Sequence, residues 1–218
     1  MPPRNHKKWL ATPKIEYISS ECYNNYEVYE QELEHIFSKV WIPICHKSEM
    51  PNKGDFRSTQ IAFKNVIAVN NGDSFKAYLC PSANRPSGNG ISVEGLTELH
   101  SGVQHGGMVW TTLNPNPSQS IDEWTAGAFD CIADAIDAEE MEVFHYHKAV
   151  INTNYKLWHD TNSEFYHDFM HYHNRVTGFN DAYFARKNIP FDNGHVNVSS
   201  FTVNYEEYEG FEDRGELS

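Results

Sequence analysis

The stretch TQIAFKNVIAVNNGDSFKAYL, residues 59–79, decides how the first half of the chain folds. Two runs rich in Val, Ile, Phe and Tyr flank the four residues NNGD at 70–73. An Asn-Gly pair between two apolar runs is typical of a β-hairpin, because the tight turn needs residues that accept a positive φ. The stretch therefore predicts two antiparallel strands joined at 70–73.

Strand signals continue on both sides of this hairpin. Residues from about 40 to 58 contain short alternating runs broken by turns, and HGGMVWTTLNPNP at 105–117 predicts a strand over 107–113 that its prolines end. Between them, CPSANRPSGNG at 80–90 has Pro, Ser, Asn or Gly at most positions and predicts a loop. We expect residues from about 40 to 113 to form one antiparallel β unit, closed by a short surface loop.

Helices and further strands are predicted around this β unit. The signals are apolar residues at helical or alternating spacing, together with Ser residues that can cap a helix. The predicted elements are a helix over 24–38, a helix within 118–141 capped by Ser118 or Ser120, a strand of about ten residues within 142–155, a helix over 157–173 and a strand within 195–208.

Composition narrows the class of protein. The chain has 218 residues, of which 14% are aromatic, and a formal net charge of -13. Such acidity argues against binding to nucleic acid or to anionic membranes, both of which reward clustered Lys and Arg. There is no run of 18 apolar residues that could span a membrane. The four cysteines are widely spaced without a Cys-x-x-Cys pair, which is typical of reduced thiols, so a cytoplasmic protein is expected.

The stretch SEFYHDFMHYHNR, residues 163–175, concentrates groups that can bind a metal. On a helix, Glu164, His167 and His171 share one face, with Asp160 one turn earlier. His173 lies about 200° further round than His171, unless the helix ends there. Two imidazoles at i and i+4 can hold one divalent metal, and two histidines with one carboxylate are typical of non-haem Fe(II) sites.

Ordinary surface histidines are the competing interpretation of this stretch. The apolar residues interleaved with the histidines favour a buried helix, in which imidazoles need partners. The pair His145 and His147 is interpreted as part of a solvent-facing strand. His159, adjacent to Asp160, is a candidate for a group that supports a ligand without binding the metal.

Several stretches, in this order and spacing, resemble the alpha (large) subunit of Rieske non-haem iron aromatic-ring-hydroxylating oxygenases. The resemblance runs from about residue 15 to 180. The stretches that carry it are YISSECYNNYEVYEQELEHIFSKVWIPICHKSEMPNKGDF at 17–56, VIAVNNGDSFKAYL at 66–79, HGGMVWTTLNPNP at 105–117 and INTNYKLWHDTNSEFYH at 151–167.

The resemblance implies an α+β fold with two parts. An N-terminal antiparallel β Rieske-like domain, with most of its cluster loop missing, would precede a truncated helix-plus-antiparallel-sheet catalytic domain of the helix-grip kind. The expected organisation is an N-terminal arm at 1–20, the Rieske-like domain with its leading helix at 21–117, and a partial catalytic domain at 118–218.

The resemblance also implies a mononuclear Fe(II) site. His167 matches the family's first histidine ligand. The family's second histidine usually follows five residues later, where this chain has Tyr172, so His171 and His173 both remain candidates. Glu164 stands where the family has an acid that links the iron site to the neighbouring subunit's cluster. The family's third ligand is an aspartate from a late helix, and Asp160 or Asp192 are possible replacements here.

The ligands of the family's [2Fe–2S] cluster are missing. The family holds that cluster with a Cys-x-His pair and a later Cys-x-x-His pair. Cys80 stands where the first ligand would fall, but Ser82 replaces the histidine, and no Cys-x-x-His follows. Cys80 is therefore interpreted as a remnant of a ligand. The family's catalytic domain also continues well beyond 218 residues, so a fragment, a shortened gene product or a degenerate paralogue is expected.

The implied parent function is that of an oxidoreductase of aromatic hydrocarbon catabolism: O2-dependent hydroxylation of a small organic, commonly aromatic, substrate at Fe(II). A ferredoxin or reductase would donate electrons, and other oxygenase subunits would complete a trimer or hexamer. Without the cluster ligands, independent turnover by this chain is not expected. Two alternatives stay open: a non-catalytic metal-binding or subunit-interaction module, and a zinc hydrolase using His167 and His171 with Glu164 as general base.

Overall fold

The computed structural model describes residues 19–81, 91–137, 139–163 and 187–199. The first described element is the helix predicted over 24–38, and it starts earlier and is interrupted once. It consists of α1 (Glu21–Asn24), α2 (Tyr26–Glu32) and a π-helical turn (Leu33–Phe37). The interruption lies at Asn25, whose extended backbone lets its side chain accept a hydrogen bond from the Glu27 amide and cap α2.

The predicted β unit is confirmed as two antiparallel sheets. One sheet has the order β1-β7-β6 and the other the order β2-β3-β4-β5. The strands are β1 (Ile42–His46), β2 (Phe56–Ile61), β3 (Lys64–Asn70), β4 (Phe75–Cys80), β5 (Thr97–Leu99), β6 (Ser101–Gln104) and β7 (Met108–Thr111). The NNGD turn joins β3 to β4 as predicted. Asn70 pairs with Phe75, and Gly72 has a φ of +96°, which an L side chain rarely adopts.

The core of this unit lies on both faces of β3. Ala68 packs on one face against Cys45 and Val109, which belong to the other sheet. Ile67 and Val69 point to the opposite face, which the segment at 91–96 covers through Ile91, Val93 and Leu96. A strand buried on both faces must be apolar at successive positions, and VIAV at 66–69 is such a run.

The region after β7 is helical, but the single helix predicted within 118–141 is wrong. The structure has α3 (Ile121–Thr125), a 3₁₀ turn (Ala128–Ile132) and α4 (Ala133–Ile136). Ser120, one of the two candidate caps, forms a capping box with Glu123. The break follows α3 because Ala126 and Gly127 both have positive φ, at 52° and 79°, which an α-helix cannot accommodate.

The strand predicted within 142–155 is also wrong. Residues 139–154, all described, form no strand, and most of their side chains are exposed. The alternating sequence of residues 142–155 favours a strand. A strand forms, however, only where a partner strand satisfies the hydrogen bonds of its backbone groups. Here the Val143 amide donates instead to the Ser48 hydroxyl, at 2.9 Å. His145 and His147 are exposed, as their sequence context predicted.

The remaining described elements are α5 (Tyr155–Ser163) and a hairpin of β8 (Lys187–Pro190) with β9 (Val196–Ser199). They confirm the N-terminal part of the helix predicted over 157–173 and the start of the strand predicted within 195–208. None of the helices in the described ranges has the length and apolar character that a membrane span requires. Together the elements form an α+β fold, and the boundary expected between residues 117 and 118 falls between β7 and α3.

Candidate functional site

Most of the predicted metal ligands lie outside the described residues. These are Glu164, His167, His171 and His173. The described part of the site is the helix that leads into them, because α5 ends at Ser163, one residue before Glu164. Asp160 and His159, the other two candidates from this stretch, are both on α5 and both exposed.

The first turn of α5 is capped by Asn154. The Asn154 side-chain oxygen accepts a hydrogen bond from the Lys156 amide at 2.9 Å, which satisfies one of the free N–H groups of the helix N-terminus. The side-chain nitrogen of the same residue donates to the Tyr23 carbonyl at 2.7 Å. One amide group therefore both starts α5 and ties it to the N-terminal helices.

An ion pair makes the second tie between α5 and the N-terminal helices. The Lys156 ammonium lies 2.8 Å and 2.9 Å from the two carboxylate oxygens of Glu32. The two side chains are 22% and 11% exposed, so water screens the attraction less than it does on an open surface. The ammonium also lies 4.6 Å from the centre of the Tyr155 ring, within range of a cation–π contact.

Aromatic packing surrounds this ion pair. The ring of Tyr155 meets that of Phe37 edge to face, with the centroids 5.0 Å apart. Burial, and then the nearby carboxylate of Glu32, raise the pKa of the Tyr155 hydroxyl to about 12. The same ring meets the imidazole of His159 edge to face, with the centroids 6.0 Å apart. The His159 imidazole therefore supports the packing of α5.

The carboxylate of Asp160 is held by the N-terminal helices as well. Its Oδ2 accepts a hydrogen bond from the Tyr23 hydroxyl at 2.8 Å. That hydrogen bond, more than desolvation, raises the pKa of Tyr23, because the phenolate form would lose it and would face a negative charge. One oxygen of Asp160 is thus engaged in a structural contact, and its role as a metal ligand or catalytic acid stays a prediction.

The thiols described do not fit a [2Fe–2S] cluster. Cys80 is 4% exposed and packs with Ile67, Val69 and Tyr78 on the outer face of the β2–β5 sheet. Cys45 lies on the other face of β3, in the core between the two sheets. Burial raises the pKa of the Cys45 thiol to about 12, which opposes the thiolate that iron requires. The described ranges bring no three His, Cys, Asp or Glu side chains together as a metal site.

Sequence reasoning missed Tyr23 and Glu32. Glu32 lies within the helix predicted over 24–38 and Tyr23 just before it, but their partners are more than 120 residues away, at separations of 124 and 137 positions. No periodicity within either segment carries that information. Residues 154–156 belong to INTNYKLWHDTNSEFYH, one of the stretches that carry the resemblance, and all three of them contact the N-terminal helices.

The described chain is therefore an α+β protein in which an antiparallel β unit precedes a helix that leads into a histidine-rich stretch. Comparison with known proteins identifies similar sequences. The chain is 45% identical to the methanesulfonate monooxygenase hydroxylase subunit alpha of Methylosulfonomonas methylovora, over 100% of its own length and 65% of that protein. It is 28% identical to the 2-aminobenzenesulfonate 2,3-dioxygenase subunit alpha of an Alcaligenes species, over 91% of the chain and 61% of that protein. These relatives are Rieske oxygenase alpha subunits, the family that the sequence resembles.

Solved structures agree at the level of the fold. The quaternary ammonium Rieske monooxygenase CntA, in complex with L-carnitine, superimposes with a TM-score of 0.62 at 18% identity, covering 73% of this chain and 56% of that one. No protein-family profile matches the chain.

The chain is shorter than its relatives, and part of the difference is internal. It spans 65% and 61% of the lengths of the two relatives named above. The alignment with the first of them covers 271 positions, 53 more than the 218 residues of the chain. Positions present in that relative are therefore missing within the aligned region. A shortened cluster loop between β4 and β5 is the hypothesis that the sequence offers for them.

Proposed function

We propose that this chain is a form of an oxygenase alpha subunit that binds mononuclear Fe(II) through the histidine-rich stretch following α5, with His167 as the first ligand. The observation that carries the proposal is the 45% identity that extends over the whole chain to a monooxygenase alpha subunit. The donor set supports it, because His167, His171 or His173, and a carboxylate from Glu164 or Asp160 are the ligand types that non-haem Fe(II) takes. Bound there, Fe(II) would supply the activation of O2.

The missing cluster motif limits what the chain does alone. Neither the sequence around Cys80 nor the described thiols offer the two-Cys, two-His set of a Rieske centre. We therefore propose that the isolated chain binds the metal without turnover. As an oxygenase in an assembly, it would need electrons from a ferredoxin or reductase through a cluster on another subunit.

For the oxygenase of which this chain is proposed to be a form, we propose a small organosulfonate as the substrate class. The two relatives named above act on methanesulfonate and on 2-aminobenzenesulfonate. The aromatic substrate expected from the sequence is compatible with the second of these but is not required by the first. The shared chemical group is the sulfonate, so we expect a sulfonate to bind more tightly than the corresponding hydrocarbon.

Metal binding is tested by thermal unfolding with and without Fe(II) under anaerobic conditions. The wild-type chain should melt at a higher temperature with the metal, since the metal binds the folded state. The variant His167→Ala should lose that shift. The matched control is His145→Ala, because His145 is an exposed histidine outside the proposed site, and this variant should keep the shift. An equal shift in all three proteins would contradict the proposal.

A non-catalytic role in metal binding or subunit interaction is the second candidate, and the absent Cys-x-x-His pair favours it. The two candidates are distinguished by O2 uptake in the presence of a sulfonate, Fe(II) and a cluster-bearing electron donor. Uptake that depends on both the substrate and His167 supports the oxygenase. No uptake by a metal-loaded chain supports the non-catalytic module.

A further inference from the structure

Three consecutive residues at the start of α5 each contact the N-terminal helices in a different way. Asn154 donates a hydrogen bond to the Tyr23 carbonyl at 2.7 Å. Tyr155 packs its ring against Phe37 at 5.0 Å. Lys156 forms the ion pair with Glu32. Contacts from three successive side chains leave the first turn of a helix little freedom to rotate or to slide.

A fourth contact lies one turn further along the helix. Asp160 follows Lys156 by four residues, so the two side chains share a face of α5. The Tyr23 hydroxyl donates to Asp160 at 2.8 Å, and the Tyr23 backbone carbonyl accepts from Asn154. Tyr23 therefore bridges the beginning and the middle of α5. The contacts at 154–156 and at Asp160 therefore fix α5 at two positions along its axis and oppose its rotation about that axis.

The direction of α5 matters because the candidate metal ligands come directly after it in the sequence. Glu164 and His167 lie one and four residues beyond the last residue of α5. In the helical register predicted for 157–173, both would share a face with Lys156 and Asp160. Turning α5 about its axis would then turn the candidate ligands by the same angle. Metal ligands tolerate little displacement, since their bond lengths vary by only about 0.2 Å.

We propose that Tyr23 and Glu32 are positioning residues: the N-terminal helices clamp α5 and thereby set the orientation of the histidine-rich stretch that comes after it. This inference rests on the proposed function for its consequence at the metal. The clamp itself rests on the four contacts between α1, α2, the π-helical turn and α5. The N-terminal helices precede the β unit in sequence, and this clamp gives them a role at the proposed metal site, which follows the β unit.

The experiment uses the full-length chain and pairs each variant with a control on the same helices. Glu32→Gln removes the charge of the ion pair but keeps the shape, and its control is Glu30→Gln, an exposed glutamate two residues earlier. Tyr23→Phe removes only the hydroxyl that binds Asp160, and its control is Tyr26→Phe, whose side chain is 66% exposed. Glu32→Asp keeps the charge and serves as the rescue variant.

Hydrogen exchange of the α5 amides at 155–163 is the first measurement. Loss of the half-buried charge pair should raise the exchange rates there by about tenfold in Glu32→Gln, while the β3 and β4 amides keep the wild-type rates. Tyr23→Phe should raise the exchange rates of α5 by a smaller factor. Glu32→Asp should bring these rates part of the way back to the wild-type values. Exchange in α5 that matches the control variants would overturn the clamp.

The absorption spectrum of Co(II), added in place of Fe(II), is the second measurement, because it reports the geometry of the bound metal and not only stability. Glu32→Gln should bind Co(II) about tenfold more weakly than wild type and with a changed spectrum, as happens when residues that orient ligands are removed. Faster exchange in α5 with an unchanged spectrum and affinity would overturn the positioning role. If the wild-type chain binds no metal, the proposed function fails, whereas exchange in α5 still decides the clamp.

Discussion

The β unit at 42–111 and the segment at 139–163 are held in place by different kinds of interaction. In the β unit, Val66, Ile67, Ala68, Ala77 and Val109 are fully buried between or beside the two sheets. In the later segment, no residue from 139 to 162 is buried, and large side chains such as Phe144 and Val150 are almost fully exposed. The β unit depends on apolar packing, whereas α5 depends on a few polar and aromatic contacts.

This difference has consequences for stability and for function. Apolar burial is spread over many residues and contributes to the cooperative unfolding of the whole unit. A helix held by an ion pair and a few hydrogen bonds opens at a smaller cost in free energy. A single polar substitution should therefore displace the helix that leads to the proposed metal ligands more easily than it displaces the strands of the β unit.

The largest expected effect comes from truncating an isoleucine in each region. Ile67→Ala removes a fully buried side chain from β3 and should lower the free energy of unfolding by about 3 kcal/mol. Ile151→Ala changes the same residue type where the side chain is 61% exposed, and its effect should stay within about 0.5 kcal/mol. Urea denaturation measures both. Similar losses of stability in the two variants would show that the segment at 139–163 is buried in solution. The β unit and this segment would then not differ in how they are stabilised.

A smaller effect is expected from alkaline pH, acting through Cys45 in the core of the β unit. Burial raises the pKa of this thiol from 9.0 to about 12 in the folded chain. Its contribution to stability is complete below pH 9, where the thiol is protonated in both states, and is lost as the pH rises toward 12. The free energy of unfolding should fall by about 1.4 kcal/mol between about pH 8 and pH 10.

Two cysteine variants identify the source of that slope. Cys45→Ala should flatten the pH dependence over this range. Cys22→Ala changes a half-buried cysteine on α1 and should leave it as in the wild type. If the free energy of unfolding of Cys45→Ala still falls over this pH range, groups other than Cys45 cause the pH dependence.

The smallest effect should come from an exposed ion pair in the sheet. Lys76 and Glu98 are 2.7 Å apart, with side chains 39% and 52% exposed. The hydrogen bond from Lys76 to Glu98 raises the pKa of the lysine, but solvent screens the pair. A double-mutant cycle should give a coupling of about 0.5 kcal/mol or less. The same cycle on Glu32 and Lys156 should give a larger value, and equal couplings would remove the distinction between the exposed pair and the half-buried one.

Local sequence predicted the β unit because its signals act over short distances. The NNGD turn and the apolar run at 66–69 sit within a few residues of the strands that they specify. Ser120 was one of two predicted caps for the same reason, since its capping partner Glu123 lies only three residues away. The break after α3 was not predicted, because alanine has no local preference for the positive φ that Ala126 adopts.

The sequence by itself determined the α+β class, the resemblance to Rieske oxygenase alpha subunits, the hairpin at the centre of the β unit and the lack of a Rieske ligand motif. Only the tertiary structure decided that 142–154 forms no strand and that Glu32 and Tyr23 hold α5 in place. A strand requires a partner to bond its backbone, and a clamp requires two side chains to meet across 124 and 137 positions of sequence. Neither requirement leaves a local pattern, because both depend on where distant parts of the chain are brought together by folding.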